Sequence, residues 1–149
     1  MSSKRCLFCP PTSAPYLLRS CCRCHCCHCC HCCHCCRPAD FASMRTAGQL
    51  AARTLAHVEP HVVPGASTAA LDAMIHSFIT SHPGAVPATL GYRGFKHSSC
   101  ISVNEVVCHG IPSDDQVLKR GDIVNIDVTP IVHGWHGGAV QVDPALTPD

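Results

Sequence analysis

Residues 121–140, GDIVNIDVTPIVHGWHGGAV, contain a carboxylate at a place where it could do chemistry. In IVNIDVTPIV, apolar and polar residues alternate with the period of a β-strand, which places Asn125, Asp127 and Thr129 on one face. A carboxylate on such a face can be a metal ligand, or it can be a buried aspartate that accepts backbone hydrogen bonds. The spacing alone leaves both interpretations open.

The segment HGWHGG that follows is predicted to be a loop that returns the chain as an antiparallel partner. His133 and His136 lie three residues apart in this loop and could join Asp127 at a metal ion. A hairpin tip does not fix such a geometry, and we interpret Trp135 and His136 as hairpin packing.

Eleven of the fifteen cysteines lie in one tract, CCRCHCCHCCHCCHCC (21–36), in which one histidine and two cysteines repeat every three residues. Thiolates and imidazoles bind zinc and cuprous ions, so the tract predicts soft-metal binding in a reducing compartment. Its candidate ligands are Cys24, Cys27, Cys30 and Cys33. The alternative is a repeat expansion, or translated sequence upstream of the true start, because structural zinc sites separate four ligands by folded spacers.

The chain has 149 residues, enough for one domain with a core but too few for two sizeable ones. We predict a disordered Cys/His-rich tail at 1–38, a domain at 39–137 and a divergent end at 138–149. The tail is basic, but its charges are scattered and predict no specific nucleic-acid site. No apolar run approaches the roughly 20 residues of a membrane span. No secretory pattern is present, so we expect a cytoplasmic protein, with an organellar transit peptide as the alternative.

Two amphipathic helices are predicted at the start of the domain. The first has apolar residues at spacings of three and four and ends near Glu59-Pro60. The second begins after Pro64-Gly65 with Ser67 as its N-cap and ends before His82. The predicted buried residues are Met44, Ala47, Ala51, Leu55 and Val58 in the first helix, and Leu71, Met74, Ile75, Phe78 and Ile79 in the second.

Beyond the helices the apolar period changes to two. CISVNEVVCHG predicts a strand at about Ile101 to Cys108, and IVNIDVTPIV predicts another. Two helices followed by antiparallel strands make an α+β fold.

The segments LGYRGFKHSSCISVNEVVCHGIP and GDIVNIDVTPIV resemble the N-terminal half of type I methionine aminopeptidases. The similarity runs from about Asp40 to Gly137, and NEVVCHGIP is specific because proline-specific peptidases of the same fold lack it in this form. The resemblance implies half of a pita-bread (creatinase/aminopeptidase) fold. In that fold two α+β halves face each other across a dinuclear metal site. The activity implied by the resemblance is removal of the initiator methionine from nascent chains.

The resemblance also implies roles for five residues. Asp127 matches the first metal-binding aspartate, and His109 matches the histidine that contacts the scissile amide. Tyr92 and Phe95 match aromatic positions of the methionine pocket, and Thr89 stands where many members have cysteine. The implied cofactors are divalent ions (cobalt, manganese, iron or zinc). The implied partner is the N-terminus of a nascent peptide, at or near the ribosome, with no membrane involved.

The sequence departs from the family after Gly137. Where the family has a bridging aspartate followed by a hydroxylated residue, this chain has Gly138 and Ala139, and the second half with its ligands does not follow. Because two-metal hydrolysis needs several carboxylates, we expect a truncated methionine aminopeptidase that is inactive by itself. One alternative is a non-catalytic metal-binding or interaction fragment, that is, a pseudoenzyme with a thiol-rich tail. The other is a sequence altered by a misplaced start and a frameshift.

Overall fold

A computed structural model describes residues 38–143. The predictions for the Cys/His tract, including Cys24, Cys27, Cys30 and Cys33, and for residues 144–149 lie outside the described residues. In chain order the helices and strands are α1 (Pro38–Val58), α2 (Thr68–Thr80), β1 (Ala85–Pro87), β2 (Ser99–Val103), β3 (Val124–Val128), β4 (Pro130–Val132), β5 (Trp135–His136) and β6 (Ala139–Asp143). The predicted α+β class is confirmed.

Both predicted helices are present, with the predicted ends. α1 stops at Val58, and Glu59–His61 continues as a single 3₁₀ turn. α2 is capped by Ser67, whose hydroxyl oxygen accepts a hydrogen bond from the backbone N–H of Ala70 at 3.2 Å. Most of the predicted apolar positions are buried, and Met44, Met74 and Phe78 are partly buried. Local periodicity and capping therefore determine these two elements.

The strand predicted at Ile101 to Cys108 has the wrong bounds. β2 covers Ser99–Val103, and Asn104 then adopts a left-handed φ of 55°, which a β-strand does not continue. The amide side chain of Asn104 accepts from the backbone N–H of Ile123 and donates to the Asp122 carboxylate, both across the turn. Residues 104–109 are consequently an exposed loop rather than the end of the strand.

The strands form two antiparallel sheets of three, in the orders β2-β3-β6 and β1-β4-β5. Only Thr129 separates β3 from β4, so the chain passes directly from one sheet into the other. The predicted loop HGWHGG is partly ordered as a strand, because Trp135–His136 pairs with β4 after a turn at His133-Gly134. The predicted antiparallel return is confirmed, since β6 pairs with β3.

The two helices cover one side of both sheets. α1 contacts β3, β4, β5 and β6, whereas α2 contacts β1 and β2. The alternate residues Val124, Ile126 and Val128 of β3 are buried in this core. Asn125, Asp127 and Thr129 are half-buried on the opposite face, as the period of two predicts. Within the described residues, no helix is both long and apolar enough to cross a membrane.

Candidate functional site

Asp127 lies in the middle of β3, the central strand of its sheet. It lies opposite Cys100 of β2 and Val140 of β6. Burial raises the pKa of the Asp127 carboxyl above its ordinary value, and the nearby His109 offsets part of this effect. Within the described chain, the Asp127 carboxylate has no hydrogen bond or ion pair. The interpretation of Asp127 as a buried acceptor of backbone hydrogen bonds therefore has no support there.

The loop at residues 88–98 forms the wall beside this carboxylate. It is tied to the end of β3, because the backbone N–H of Ala88 donates to the Thr129 carbonyl at 2.8 Å. Gly91 and Arg93 have φ angles of 82° and 49°, and the backbone N–H of Gly91 donates to the Phe95 carbonyl at 2.7 Å. The loop therefore folds back on itself and presents its aromatic residues together.

Asp72 of α2 fixes the far end of this loop. Its buried carboxylate accepts from the backbone N–H groups of Ser98 and Ser99, at 3.0 and 2.8 Å, and from the Ser99 hydroxyl at 2.6 Å. Its second oxygen lies 3.3 Å from Nδ1 of His97. The Thr89 hydroxyl in turn donates to the His97 carbonyl at 3.0 Å. One side chain of α2 thus holds both the start of β2 and the base of the loop.

His109 follows the exposed loop after β2 and has a φ of 55°, in the left-handed region. The next residue, Gly110, lies against β2: its carbonyl accepts from the backbone N–H of Ile101 at 2.9 Å, and its own N–H donates to the Ser102 hydroxyl at 3.1 Å. A Cβ at Gly110 would overlap the Ile101 carbonyl. Only glycine therefore permits the close contact that positions His109 beside the sheet.

These segments line an open cavity of about 620 Å³. All five residues whose roles follow from the resemblance line it, although they come from three separate segments. The lining residues are Thr89, Tyr92, Arg93, Gly94, Phe95, Cys100, His109, Asp127 and Thr129. A concave site with aromatic walls and a few polar groups suits a small ligand or a peptide end.

Three residues of the cavity, Arg93, Gly94 and Cys100, were not predicted from the sequence. Cys100 lines it because β2 begins at Ser99, and the alternation of β2 would have indicated Cys100 had that start been known. Burial, followed by the charges of Asp127 and Asp72 and by Cys108, raises the pKa of the Cys100 thiol, which disfavours a nucleophilic thiolate. Arg93 carries no sequence signal, since only the loop geometry brings it to the cavity.

The donor groups do not fit a dinuclear metal centre. Two divalent ions require several carboxylates, yet among the described residues no three His, Cys, Asp or Glu side chains lie close enough to hold even one ion. Gly138 is the decisive position, because the β3–β6 register places it across from Thr129 on the Asp127 face. The atom nearest to a Cβ built on Gly138 would be Oγ1 of Thr129, at 3.7 Å. A side chain would therefore fit at this position, but glycine has none.

The suggested metal site of Asp127 with His133 and His136 is wrong. His133 lines a different cavity, beside α1, with His82 and Arg53. Its ring covers Gly84, where an added Cβ would meet the imidazole at 2.5 Å. The β4–β5 turn therefore carries His133 away from the face that holds Asp127. Trp135 packs against the core, as predicted.

Comparison with known proteins identifies the family. The model of metallopeptidase family M24 matches residues 42–140. This chain belongs to that family. The methionine aminopeptidase of Escherichia coli (strain K12) is 56% identical over 100 residues, which are 67% of this chain and 38% of that protein. The methionine aminopeptidase of Rickettsia prowazekii (strain Madrid E) is 57% identical over 113 residues, 73% of this chain and 43% of that protein.

The fold agrees with this assignment. The crystal structure of the Rickettsia prowazekii methionine aminopeptidase superimposes with a TM-score of 0.71 at 50% identity, covering 76% of this chain and 44% of that one. The resemblance to methionine aminopeptidases and the predicted half pita-bread fold are thus confirmed. This M24 chain spans about two fifths of the length of the relatives that it matches.

Proposed function

We propose that this M24 chain carries the part of a methionine aminopeptidase site that receives an N-terminal methionine side chain, and that it does not remove the methionine by itself. The observation that supports the first part is the shared cavity of Thr89, Tyr92, Phe95, His109 and Asp127. The observation that supports the second part is Gly138, which supplies no ligand where a second carboxylate would face Asp127.

The pocket wall suits a thioether side chain. Tyr92 is half exposed and Phe95 is partly buried, so a ligand can reach both aromatic rings from the cavity. Thioether sulfur makes favourable contacts with aromatic ring edges, and an unbranched side chain adapts to an open pocket. Thr89 uses its hydroxyl to hold the His97 carbonyl, which leaves its methyl group for the ligand.

His109 and Asp127 are assigned the roles that the resemblance gives them. His109 is proposed to contact the peptide amide that follows the methionine, and Asp127 is proposed to be a ligand of a divalent ion; both residues line the cavity. The family is a metallopeptidase family, with cobalt, manganese, iron and zinc as the candidate ions. Since the described donors do not fit two ions, this chain is not proposed to cleave the peptide bond by itself.

The proposed setting is the cytoplasm, with the N-termini of nascent chains at the ribosome as the partners. The thiol-rich tract at 21–36 is proposed as a separate site for zinc or cuprous ions. The division of the chain into a tail, a domain and a divergent end, at residues 38 and 137, is also part of the proposal.

A second candidate function is a non-catalytic interaction fragment. The face that carries Asp127 also exposes Val140 and Val142 of β6, which are 58% and 56% accessible. Apolar residues that are exposed together on a sheet face favour a contact with another protein surface. Like the first candidate, this one agrees with the absence of a metal ligand at Gly138. Unlike the first, it does not require the cavity to bind a methionine side chain.

The test measures binding and release with the full chain. We expect a Met-Ala-Ser peptide to bind about tenfold more tightly than Gly-Ala-Ser, and Phe95→Ala to remove most of that preference. Phe41→Ala, which removes an exposed aromatic ring on α1, is the matched control and leaves the preference unchanged. Equal binding of the two peptides would favour the interaction fragment.

No methionine is expected to be released with added cobalt or manganese. Release that is lost in both Asp127→Ala and His109→Ala would contradict the proposed inactivity, because it would require a complete metal site in this protein.

A further inference from the structure

A second cavity lies beside α1, between this helix, the α2–β1 turn and the β4–β5 turn. Its volume is about 540 Å³. The lining residues are Thr46, Gln49, Leu50, Ala52, Arg53, His82, Pro83, Val132 and His133. None of them lines the cavity that contains Asp127. The second cavity is therefore a separate candidate site.

The charged groups of this second cavity are all basic. Arg53 of α1, His82 of the α2–β1 turn and His133 of the β4–β5 turn line it together. The lining segments 46–53, 82–83 and 132–133 contain no aspartate or glutamate. Among the described residues, no carboxylate forms an ion pair with Arg53. A cavity with three basic groups and no acid favours an anionic ligand.

Backbone contacts hold both imidazoles at the cavity. Nδ1 of His82 lies 2.8 Å from the Phe78 carbonyl oxygen, and because a carbonyl can only accept, Nδ1 carries a proton and donates it. This leaves Nε2 of His82 for a ligand. His133 has a φ of 49°, its backbone N–H donates to the Gly84 carbonyl at 3.2 Å, and its ring covers Gly84. The fold therefore places both rings before a ligand binds.

Apolar groups form much of the remaining wall. Leu50, Pro83 and Val132 line the cavity, and Leu50 and Val132 also belong to the hydrophobic core. A cavity of this volume is in the size range of small-molecule sites, so it has room for an apolar group beside the anion. The matching ligand is consequently an anionic group attached to a small apolar body.

A phosphate monoester matches these donors better than a carboxylate does. The guanidinium of Arg53 can bind two oxygens of either group at once. A carboxylate has only two oxygens and one charge, so it leaves the imidazoles of His82 and His133 without an acceptor. A monoester has three acceptor oxygens and close to two negative charges at neutral pH. It can therefore accept hydrogen bonds from all three side chains.

We propose that this cavity binds a phosphate monoester of a small apolar molecule, with Arg53, His82 and His133 as the donors to the phosphate group. The proposal is independent of the methionine pocket, because the two cavities share no residue.

The experiment titrates the full chain with phenyl phosphate at about pH 6, where histidine side chains carry a proton most readily. EDTA is present so that no metal ion on the Cys/His tract binds phosphate. Arg53→Gln should weaken binding about tenfold, because it removes a charge-assisted pair of hydrogen bonds. His133→Asn should weaken it about threefold. Asparagine tolerates the left-handed φ at this turn, so the loss reports on the imidazole.

Arg120→Gln is the matched control, because it removes the same charge at an exposed arginine outside the cavity. Arg120 follows Leu118, whose N–H donates to the Ala66 carbonyl beside the N-terminal end of α2. His82 lies at the other end of that helix. Binding of phenyl phosphate to Arg120→Gln should equal that of the wild type.

Two further ligands separate the contributions of the anion and the apolar group. Phenylacetate keeps the ring and replaces the phosphate by a carboxylate, whereas inorganic phosphate lacks the ring. We expect each to bind about tenfold more weakly than phenyl phosphate. The proposal would be overturned if phenyl phosphate did not bind saturably, if Arg53→Gln lost no more affinity than Arg120→Gln, or if phenylacetate bound as tightly. None of these results bears on the preference for Met-Ala-Ser over Gly-Ala-Ser, which tests the methionine pocket.

Discussion

Two aspartates near the cavity have opposite surroundings. Asp72 is buried and accepts three hydrogen bonds from Ser98 and Ser99, in addition to its contact with His97. Asp127 is half-buried and has none within the described chain. Asp72 therefore stabilises the fold that surrounds the cavity, whereas the charge on Asp127 is left for a ligand.

Asp127→Asn is expected to stabilise the protein at neutral pH in the absence of ligand. Burial raises the folded-state pKa of Asp127 above its ordinary value of 3.8. The protonated side chain therefore stabilises the folded state fully below pH 3.8, and this stabilisation is lost as the pH rises through the folded-state pKa. Asparagine resembles the protonated acid and avoids this loss. Thermal unfolding at about pH 7 and about pH 3 should show a higher midpoint for the variant only at the higher pH. A more stable wild-type protein at neutral pH would mean that the Asp127 carboxylate has a partner.

Asp72→Ala should destabilise the fold by about 3 kcal/mol, because it leaves the backbone N–H groups of Ser98 and Ser99 buried without an acceptor. Urea unfolding measures the change. Asp114→Ala, at an exposed position, is the control and should lie within about 0.5 kcal/mol of the wild type. A similarly small effect of Asp72→Ala would mean that these N–H groups find other acceptors.

The pairing of β3 with β6 decides what the candidate site lacks. In this register Asp127 pairs with Val140 and Val128 pairs with Ala139. If the same register is extended by one residue, Gly138 lies opposite Thr129. Cross-strand partners share a face, so residue 138 belongs to the Asp127 face and not to the core. A single-residue shift of this register would turn position 138 away from the site.

Gly138→Asp should therefore create a carboxylate pair on this face. Manganese prefers oxygen ligands and binds thiolates weakly, so it reports on this site in the presence of the Cys/His tract. We expect the variant to bind manganese about tenfold more tightly than the wild type, measured by electron paramagnetic resonance of the free ion. Adding Asp127→Asn to the variant should abolish the gain, and unchanged affinity of Gly138→Asp would contradict the register.

At the scale of the described domain, α1 and the end of the β4–β5 hairpin approach each other closely. Gly137 is buried, and a Cβ on it would overlap the backbone of Ala47 and Gly48 in α1. Its N–H also donates to the Pro130 carbonyl at 2.9 Å. Gly137 thus allows the chain to pass under the helix before β6 completes the sheet that holds Asp127.

Gly137→Ala should cost about 2–4 kcal/mol of unfolding free energy, because the methyl group meets backbone atoms that cannot move away without shifting α1. Gly48→Ala is the matched control: nothing lies within 4 Å of its added Cβ, and an alanine inside a helix should stabilise by about 0.5–1 kcal/mol. Chemical unfolding of both variants distinguishes them by sign. Equal and small effects would contradict the close approach.

The sequence by itself determined the features that depend on neighbouring residues. Apolar spacing and the Ser67 cap predicted α1 and α2, and alternation placed Asp127 on the polar face of β3. These signals are local, because side-chain period and capping are set within a few residues of backbone. The motif resemblance supplied the family and the five residues that were later found around one cavity.

Only the tertiary structure decided how these features combine. The end of β2 at Val103 depends on the contact of Asn104 with Ile123, nineteen residues away. Arg93 and Cys100 reach the cavity because Asp72 of α2 fixes the segment between them, and His133 leaves it because the hairpin turns toward α1. Such placements follow from strand register and helix packing, which join distant segments and therefore leave no periodic pattern in the sequence.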